Sequence, residues 1–475
     1  MTQSRGRSSE RRFARRLSLF DCAMIVAGSM IGSGIFIVSA DIARKVGSPA
    51  GLLGVWIASG FMTILGALSY GELAAMMPEA GGQYVFLREA YGDLVGFAYG
   101  WSLLLVIQSG TVAAVAVAFA RFAAVLFPWC GATLFFGVGT VGLSHERIVA
   151  VGVIALLTAL NLRGLDLGKT VQNAFTTAKV GALLMLIVLG CLIAPDPGAI
   201  ARNFGTLRAF FGDGASVGPA AFGAAMVGGL FSSDAWATVT FVATEAREPR
   251  RDLPRALALG AGLVILLYLL TNVAYLCELP VASGAAPHAG SAFARGIAGA
   301  ADDRVATAAM SSILGGRGPL VIAVLVMIST FGCANGLILT GARVIWAMAH
   351  DRLFFAAAGR LNRAAVPDVA LVVQGVWSAL LTLSGTYSEL LDYVIFTQLL
   401  FYALTVGAVF VMRRRRPAAP RSYRVPGYPW LPALYVGAAL SLMADLLVVK
   451  PRYTWPGFLI ALSAAPVYRM LKARA

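Results

Sequence analysis

Residues 26–36 read VAGSMIGSGIF, an apolar run interrupted by Gly28, Gly32 and Gly34 where a membrane helix should be most regular. Each glycine is about 1 kcal/mol worse than alanine inside a helix, so three of them beside Ser29 and Ser33 weaken helical structure there. Non-helical backbone is tolerated at membrane depth only where its freed N–H and C=O groups face protein or a water-lined cavity, because lipid offers no hydrogen bonds. The stretch therefore reads in one of two ways. It is a break that forms a binding site, or it is close packing of the GxxxG kind, with Gly28 and Gly32 admitting a neighbouring helix.

The setting of this stretch is a membrane. Of 475 residues, 59% are hydrophobic and only 13% charged, with mean hydropathy +0.78; soluble domains carry about 25% charged residues. A helix crossing the hydrocarbon needs roughly 20 apolar residues. Apolar windows at 18–39, 50–77, 94–127, 146–163, 170–194, 220–243, 256–279, 319–347, 368–385, 390–412, 431–449 and 456–471 predict an all-α integral membrane protein of about twelve spans with no large soluble domain. The net charge of +15 does not indicate nucleic-acid binding, since the basic residues lie between spans rather than on one amphipathic face. Arginines crowd the tail at 1–17 and alternate loops from there, notably Arg247 to Arg255, Arg352 to Arg363 and Arg413 to Arg416. By the positive-inside rule both termini are expected on the cytoplasmic side of the cell membrane. Five scattered cysteines without a CxxC pair, and three histidines, predict no metal site, no cofactor and no disulfide framework. The start, SERRFARRLSLF, has twin arginines but no small-residue cleavage site after them, so no cleaved signal is expected.

A second interrupted segment, VGGLFSSDAW at 227–236, lies five spans after the first. Paired breaks at corresponding positions of two halves point to inverted repeats with a substrate site at their interface near the midplane. The repeats are expected at 18–194 and 220–412, with 413–475 supplying a basic, proline-punctuated linker, helices 11 and 12 and a short C-terminus. Two longer loops fall at 195–219 and 280–318; the second holds a Gly/Ala-rich insertion and DDRVATAAMSSILG, which suits a short lid helix.

With both breaks in place, five stretches in order carry a resemblance. They are GSMIGSGIF, SYGELAAMMPEAGGQYVFLREAYG, VQNAFTTAKVGALL, GLFSSDAWATVTFVATEAREPRRDLPRA and STFGCANGLILTGARVIWAMAHDR. Together they resemble the amino acid-polyamine-organocation superfamily, specifically its L-type amino acid transporter branch. The resemblance implies a LeuT-like fold: two inverted five-helix repeats with helices 1 and 6 broken, plus two peripheral helices. It also implies transport of free amino acids by alternating access.

Broken helices offer an α-amino acid a partner for each charge. Free N–H groups at a half-helix N-terminus bind the carboxylate, and free carbonyls at a half-helix C-terminus bind the ammonium. In the segment from Met30 and Ile31 onward, the amides and hydroxyl of Gly32, Ser33 and Gly34 are expected on the carboxylate. The carbonyls of Met30, Phe231, Ser232 and Asp234 are expected on the ammonium, which matches the pattern of the family. Phe231 stands where the family has an aromatic gate, though a packed core phenylalanine reads the same. Trp236 stands where the family lines its cavity. Asp234 departs from the best-known animal members, which have glycine there; its carboxylate either pairs with the ammonium or caps the half-helix from 235 onward, and the cap is favoured. Asn335 is a further substrate-site candidate, although it, Gln108, Ser109 and Gln398 each suit interhelical hydrogen bonds; Cys333 suits a small pocket wall.

Lys179 lies ten residues beyond Lys169, about 15 Å along the helix and so near mid-membrane. Too deep to reach the interface, it should face the bundle and find oxygen partners. Carbonyls near Gly28 and Ser29, with Ser329 or Thr330, are expected to supply them, so that the ammonium stands where sodium-coupled relatives of the fold hold an ion; the alternative is a structural lysine paired with a carboxylate. The resemblance agrees, since sodium-independent members carry this lysine in the AK of TTAKVGALL. A neutral L-amino acid is the expected substrate, moved by exchange or with protons. The alternatives are cationic amino acids or polyamines, or a membrane-embedded sensor that binds without moving its ligand. No nucleophile, base or metal constellation suggests an enzyme. Cys130 falls where animal relatives bond a glycoprotein heavy chain, but one cysteine in context does not lead us to expect that partner.

Overall fold

Ser18 starts the first helix through a reciprocal cap. Its hydroxyl accepts the Asp21 N–H at 3.2 Å, while the Asp21 carboxylate accepts the Ser18 N–H at 2.9 Å. From there a computed structural model describes residues 15–138, 141–212, 217–282, 295–383, 387–449 and 451–474. Most of the Gly/Ala-rich insertion and of the N-terminal tail lies outside the described residues.

In chain order the helices are α1 (Leu19–Met30), α2 (Gly34–Ile37), α3 (Ser39–Val46), α4 (Pro49–Met76), α5 (Gln83–Tyr91) and α6 (Asp93–Ser102), the last continuing through a π turn at Leu103–Ile107 into α7 (Gln108–Leu126). A hairpin follows, β1 (Leu134–Val138) antiparallel to β2 (Val141–Ser144). Next come α8 (His145–Asn161), α9 (Leu165–Val188), α10 (Pro197–Phe204), α11 (Leu207–Phe211), α12 (Pro219–Ser232), a 3-10 segment at Trp236–Glu245, and α13 (Pro249–Glu278). The chain ends with α14 (Val305–Leu314), α15 (Gly318–His350), α16 (Asp368–Thr382), α17 (Tyr387–Arg415), α18 (Trp430–Val449) and α19 (Pro451–Arg474). The lid sequence thus forms α14, and the loop at 195–219 folds into α10 and α11.

Among the described residues, 8 helical stretches are long and apolar enough to cross a membrane. Helices also fill the four other windows, and each falls short for a visible reason. α8 and α16 have 17 and 15 residues, α12 stops at the second break, and α19 carries Pro456 and Pro466 with basic residues. α1, α4, α13 and the 3-10 segment pack together, and α7, α8, α9, α15 and α16 form the facing group that α1 also touches. α17 receives α18, and α19 packs against α17 and α6.

The first break lies at Ile31, Gly32 and Ser33, as expected. The second lies within the expected 227–236 segment, at its C-terminal part. α12 runs unbroken through Gly228 and Gly229 to Ser232, and the helix stops at Ser233, Asp234 and Ala235, where Ala235 takes a left-handed φ of 65°. The two glycines are packing positions: a Cβ on Gly228 would lie 3.1 Å from Val38 Cβ, and one on Gly229 would lie 2.5 Å from Ser59 Oγ. A glycine weakens an isolated helix, but tight neighbours more than offset that cost. Gly28 also packs, since a Cβ there would meet Thr176 Oγ1 at 2.2 Å and Gln172 Nε2 at 2.3 Å on α9. The first segment is therefore both a break and a close contact.

Candidate substrate site

The carbonyls freed at the end of α1 are met by side chains from three helices. From α9, the Lys179 ammonium donates to Gly28 O at 2.6 Å and to Ile31 O at 2.9 Å, fully buried. From α15, Ser329 Oγ lies 3.2 Å from both Ile31 O and Gly32 O, and the Cys333 thiol donates to Ser29 O at 3.1 Å. From α13, the Tyr268 hydroxyl is 2.9 Å from Met30 O and 3.1 Å from Ser232 O, so one hydroxyl spans both breaks. A cation is favoured at a helix C-terminus, and here the protein supplies its own.

Several expected positions are redirected. Thr330 turns to its own helix, with Oγ1 2.8 Å from Val326 O, because a hydroxyl one turn from a carbonyl is satisfied locally. The Gly32 N–H points back to Met30 O at 2.8 Å and so is engaged rather than offered to a carboxylate. The Tyr268 hydroxyl shares its one proton between Met30 O and Ser232 O; Met30 O, which also accepts the Gly32 N–H, is filled, while Ser232 O keeps a second lone pair. Gly34 sits against α12, since a Cβ there would be 2.1 Å from Ser232 Oγ and 2.9 Å from Ser232 Cα. Asn335 faces away from the breaks, accepting from Asn161 Nδ2 at 2.8 Å on α8. The neighbour that does reach α1 is Cys333.

Asp234 is not a helix cap. Ala235 occupies the cap position of the 3-10 segment and no side chain caps it, whereas the Asp234 carboxylate accepts the Tyr402 hydroxyl at 2.7 Å from α17. Tyr402 stacks on Trp236 at 4.9 Å between centroids, and Tyr70 meets Trp236 edge-on at 4.7 Å. Two cavities of about 20 Å3 each flank Asp234, one towards Tyr435 and Gln398, the other towards Tyr99 and Gln108. Each has room for about one water. Phe231 is 7% exposed and Trp236 2%, so these rings are packed, with no amino-acid-sized space in either cavity.

Beyond the breaks, on the face that carries the arginine-rich loops, a cavity of about 860 Å3 is lined by Arg15, Glu79, Arg88, Thr244, Trp346 and Arg360 among others. Next to Thr244, Glu245 pairs with Arg343 at 3.2 Å, with side chains 0% and 1% exposed. The Glu245 carbonyl also accepts the N–H groups of Arg16 and Leu17 at 2.9 Å each, which lays the N-terminal segment across this point. At the cavity rim Asp351 accepts from Tyr84 at 2.9 Å and pairs with Arg88. Burial first, and then the Asp351 charge, raise the Tyr84 hydroxyl well above its ordinary value. At the opposite end Tyr275 Oη donates to Ile35 O at 3.2 Å. Among the described residues no group of three or more His, Cys, Asp or Glu suits a metal.

Tyr268, Tyr402 and the Glu245–Arg343 pair were not singled out by the sequence reading. Arg343 carried a usable signal, because an arginine inside an apolar span marks a functional position by default. The tyrosines carried none, since a hydroxyl at midplane looks the same in sequence whether it faces lipid or a helix break.

The amino acid permease family model matches residues 17–462. The serine/threonine exchanger SteT of Bacillus subtilis is 27% identical over 464 residues, covering 97% of each chain. The b(0,+)-type amino acid transporter 1 of Homo sapiens is 28% identical over 446 residues, 93% of this chain and 84% of the relative. The large neutral amino acids transporter small subunit 2 of Homo sapiens is 28% identical over 463 residues, 96% and 80% respectively.

Proposed function

The chain belongs to the amino acid permease family, and from that premise we propose that it moves neutral L-amino acids across the cell membrane by alternating access, without sodium. The observation that carries the reading is Lys179, whose ammonium sits on Gly28 O and Ile31 O and leaves those carbonyls no need of a metal ion. The two breaks supply backbone groups for a zwitterion: Ser33 and Gly34 for the carboxylate, and the second lone pair of Ser232 O for the ammonium. Such a site reads the part common to all amino acids, while Cys333, Phe231 and Trp236 bound the side chain. Residues 18–194 and 220–412 act as the two repeats that rock against each other, with both termini cytoplasmic. No chemical step is assigned to any residue.

One observation favours a second reading. The buried Asp234 carboxylate is held by a tyrosine, and among the described residues no lysine or arginine forms an ion pair with it. A cationic side chain would satisfy it. Uptake of labelled amino acids by reconstituted protein separates the readings, run with and without internal amino acid, sodium and a pH gradient. Alanine, serine or leucine should enter without sodium. Uptake of arginine while these three neither enter nor compete overturns the neutral assignment, and strict sodium dependence overturns the coupling.

A further inference from the structure

A groove of about 580 Å3 between α4, α12 and α18 takes no part in the site described above. Phe61 of α4 and Leu434 of α18 line it and are 54% and 53% exposed, on helices long and apolar enough to cross a membrane, so the groove opens towards acyl chains. Its lining is apolar apart from Ser441 and Asp445. Asp445 Oδ2 is buried and accepts no hydrogen bond among the described residues. A Cβ on Gly223 would come within 2.4 Å of that oxygen, so the carboxylate rests against bare α12 backbone. An unpaired carboxylate in a membrane span is costly and calls for a donor, preferably a cationic one. Within the described chain there is none. Asp445 lies fifteen residues beyond Trp430, about 22 Å along α18, and four residues short of Val449, about 6 Å from the helix end. That is close to the depth at which lipid headgroups begin.

We propose that this groove binds a phospholipid whose headgroup carries a primary ammonium, with acyl chains along Phe61, Leu65, Phe222 and Leu434 and the ammonium on Asp445. The choline headgroup is the informative control, because it has the same charge but no N–H to donate. The full chain is placed in nanodiscs of phosphatidylcholine doped with phosphatidylethanolamine, extracted again, and its retained lipids counted by mass spectrometry. Phosphatidylethanolamine should be enriched about threefold over its share in the disc, the factor expected of a partly screened ion pair. Asp445→Asn should bring the enrichment down to about one. Ser441→Trp, which fills the groove and leaves the carboxylate in place, should remove it as well and guards against a misfolded aspartate variant. Equal retention of the two lipids by the parent overturns the proposal, as does enrichment that survives either substitution. Thermal stabilisation by alanine in the same discs reads the transport proposal separately, so the two can fail independently.

Discussion

Lys179 is where one side chain carries most of the argument. Truncating it removes the ammonium from Gly28 O and Ile31 O and leaves Gly28 O unsatisfied, at about 1–3 kcal/mol. Ser329 still reaches Ile31 O, so Lys179→Ala should fold, with a lowered thermal midpoint, slower turnover and a changed pH dependence of exchange. Unaltered sodium-free transport by that variant would remove Lys179 from the coupling. Gly34 presents a different case, since both its proposed role and its packing forbid a side chain. A valine there meets Ser232 Cα as well as its hydroxyl, so trimming Ser232 cannot relieve the contact. Gly34→Val is expected to cost about 1–3 kcal/mol by overpacking and to abolish the thermal shift induced by amino acids. Folded protein that keeps the full shift would take the ligand elsewhere.

At the scale of the element, the two broken helices are held in register by a helix that is itself unbroken. α13 brings the Tyr268 hydroxyl to Met30 O and Ser232 O together, so this one group ties α1 to α12. Tyr268→Phe keeps the ring, which packs edge-on against Trp56 at 5.4 Å, and removes only the tie. We expect a loss of about 1 kcal/mol in stability. Turnover should change without a matching change in amino acid affinity, as measured by transport kinetics beside a binding titration. Affinity lost with turnover unchanged would instead make the hydroxyl a substrate contact. The first break was legible in the sequence because three glycines and two serines interrupt an apolar run. The second was legible only in outline. Gly228 and Gly229 lie in regular helix, while the chain turns at Ser233, Asp234 and Ala235, the polar end of the same 227–236 segment.

For the molecule as a whole, the Glu245–Arg343 pair joins the 3-10 segment to α15 beside the large cavity on the arginine-rich face, and the N-terminal segment lies over it. Removing one partner leaves the other charge buried, at about 3–5 kcal/mol. Glu245→Ala and Arg343→Ala should each destabilise strongly, and the double variant should cost clearly less than their sum in a thermal or denaturant series. Additive losses would mean that the two side chains act separately. Composition, the spacing of apolar runs and the alternation of arginines determined by themselves that this chain is helical and membrane-embedded, and the paired breaks indicated where the proposed site lies. These follow from local and periodic properties, because a span must satisfy its own backbone in lipid wherever its neighbours lie. Only the tertiary structure decided that Lys179 reaches Gly28 O and Ile31 O, that Asn335 turns to Asn161, that Asp234 meets Tyr402, and that Glu245 finds Arg343. Each joins residues from 98 to 174 positions apart. Which polar group meets which across such separations depends on how helices cross, and no period along the chain encodes that.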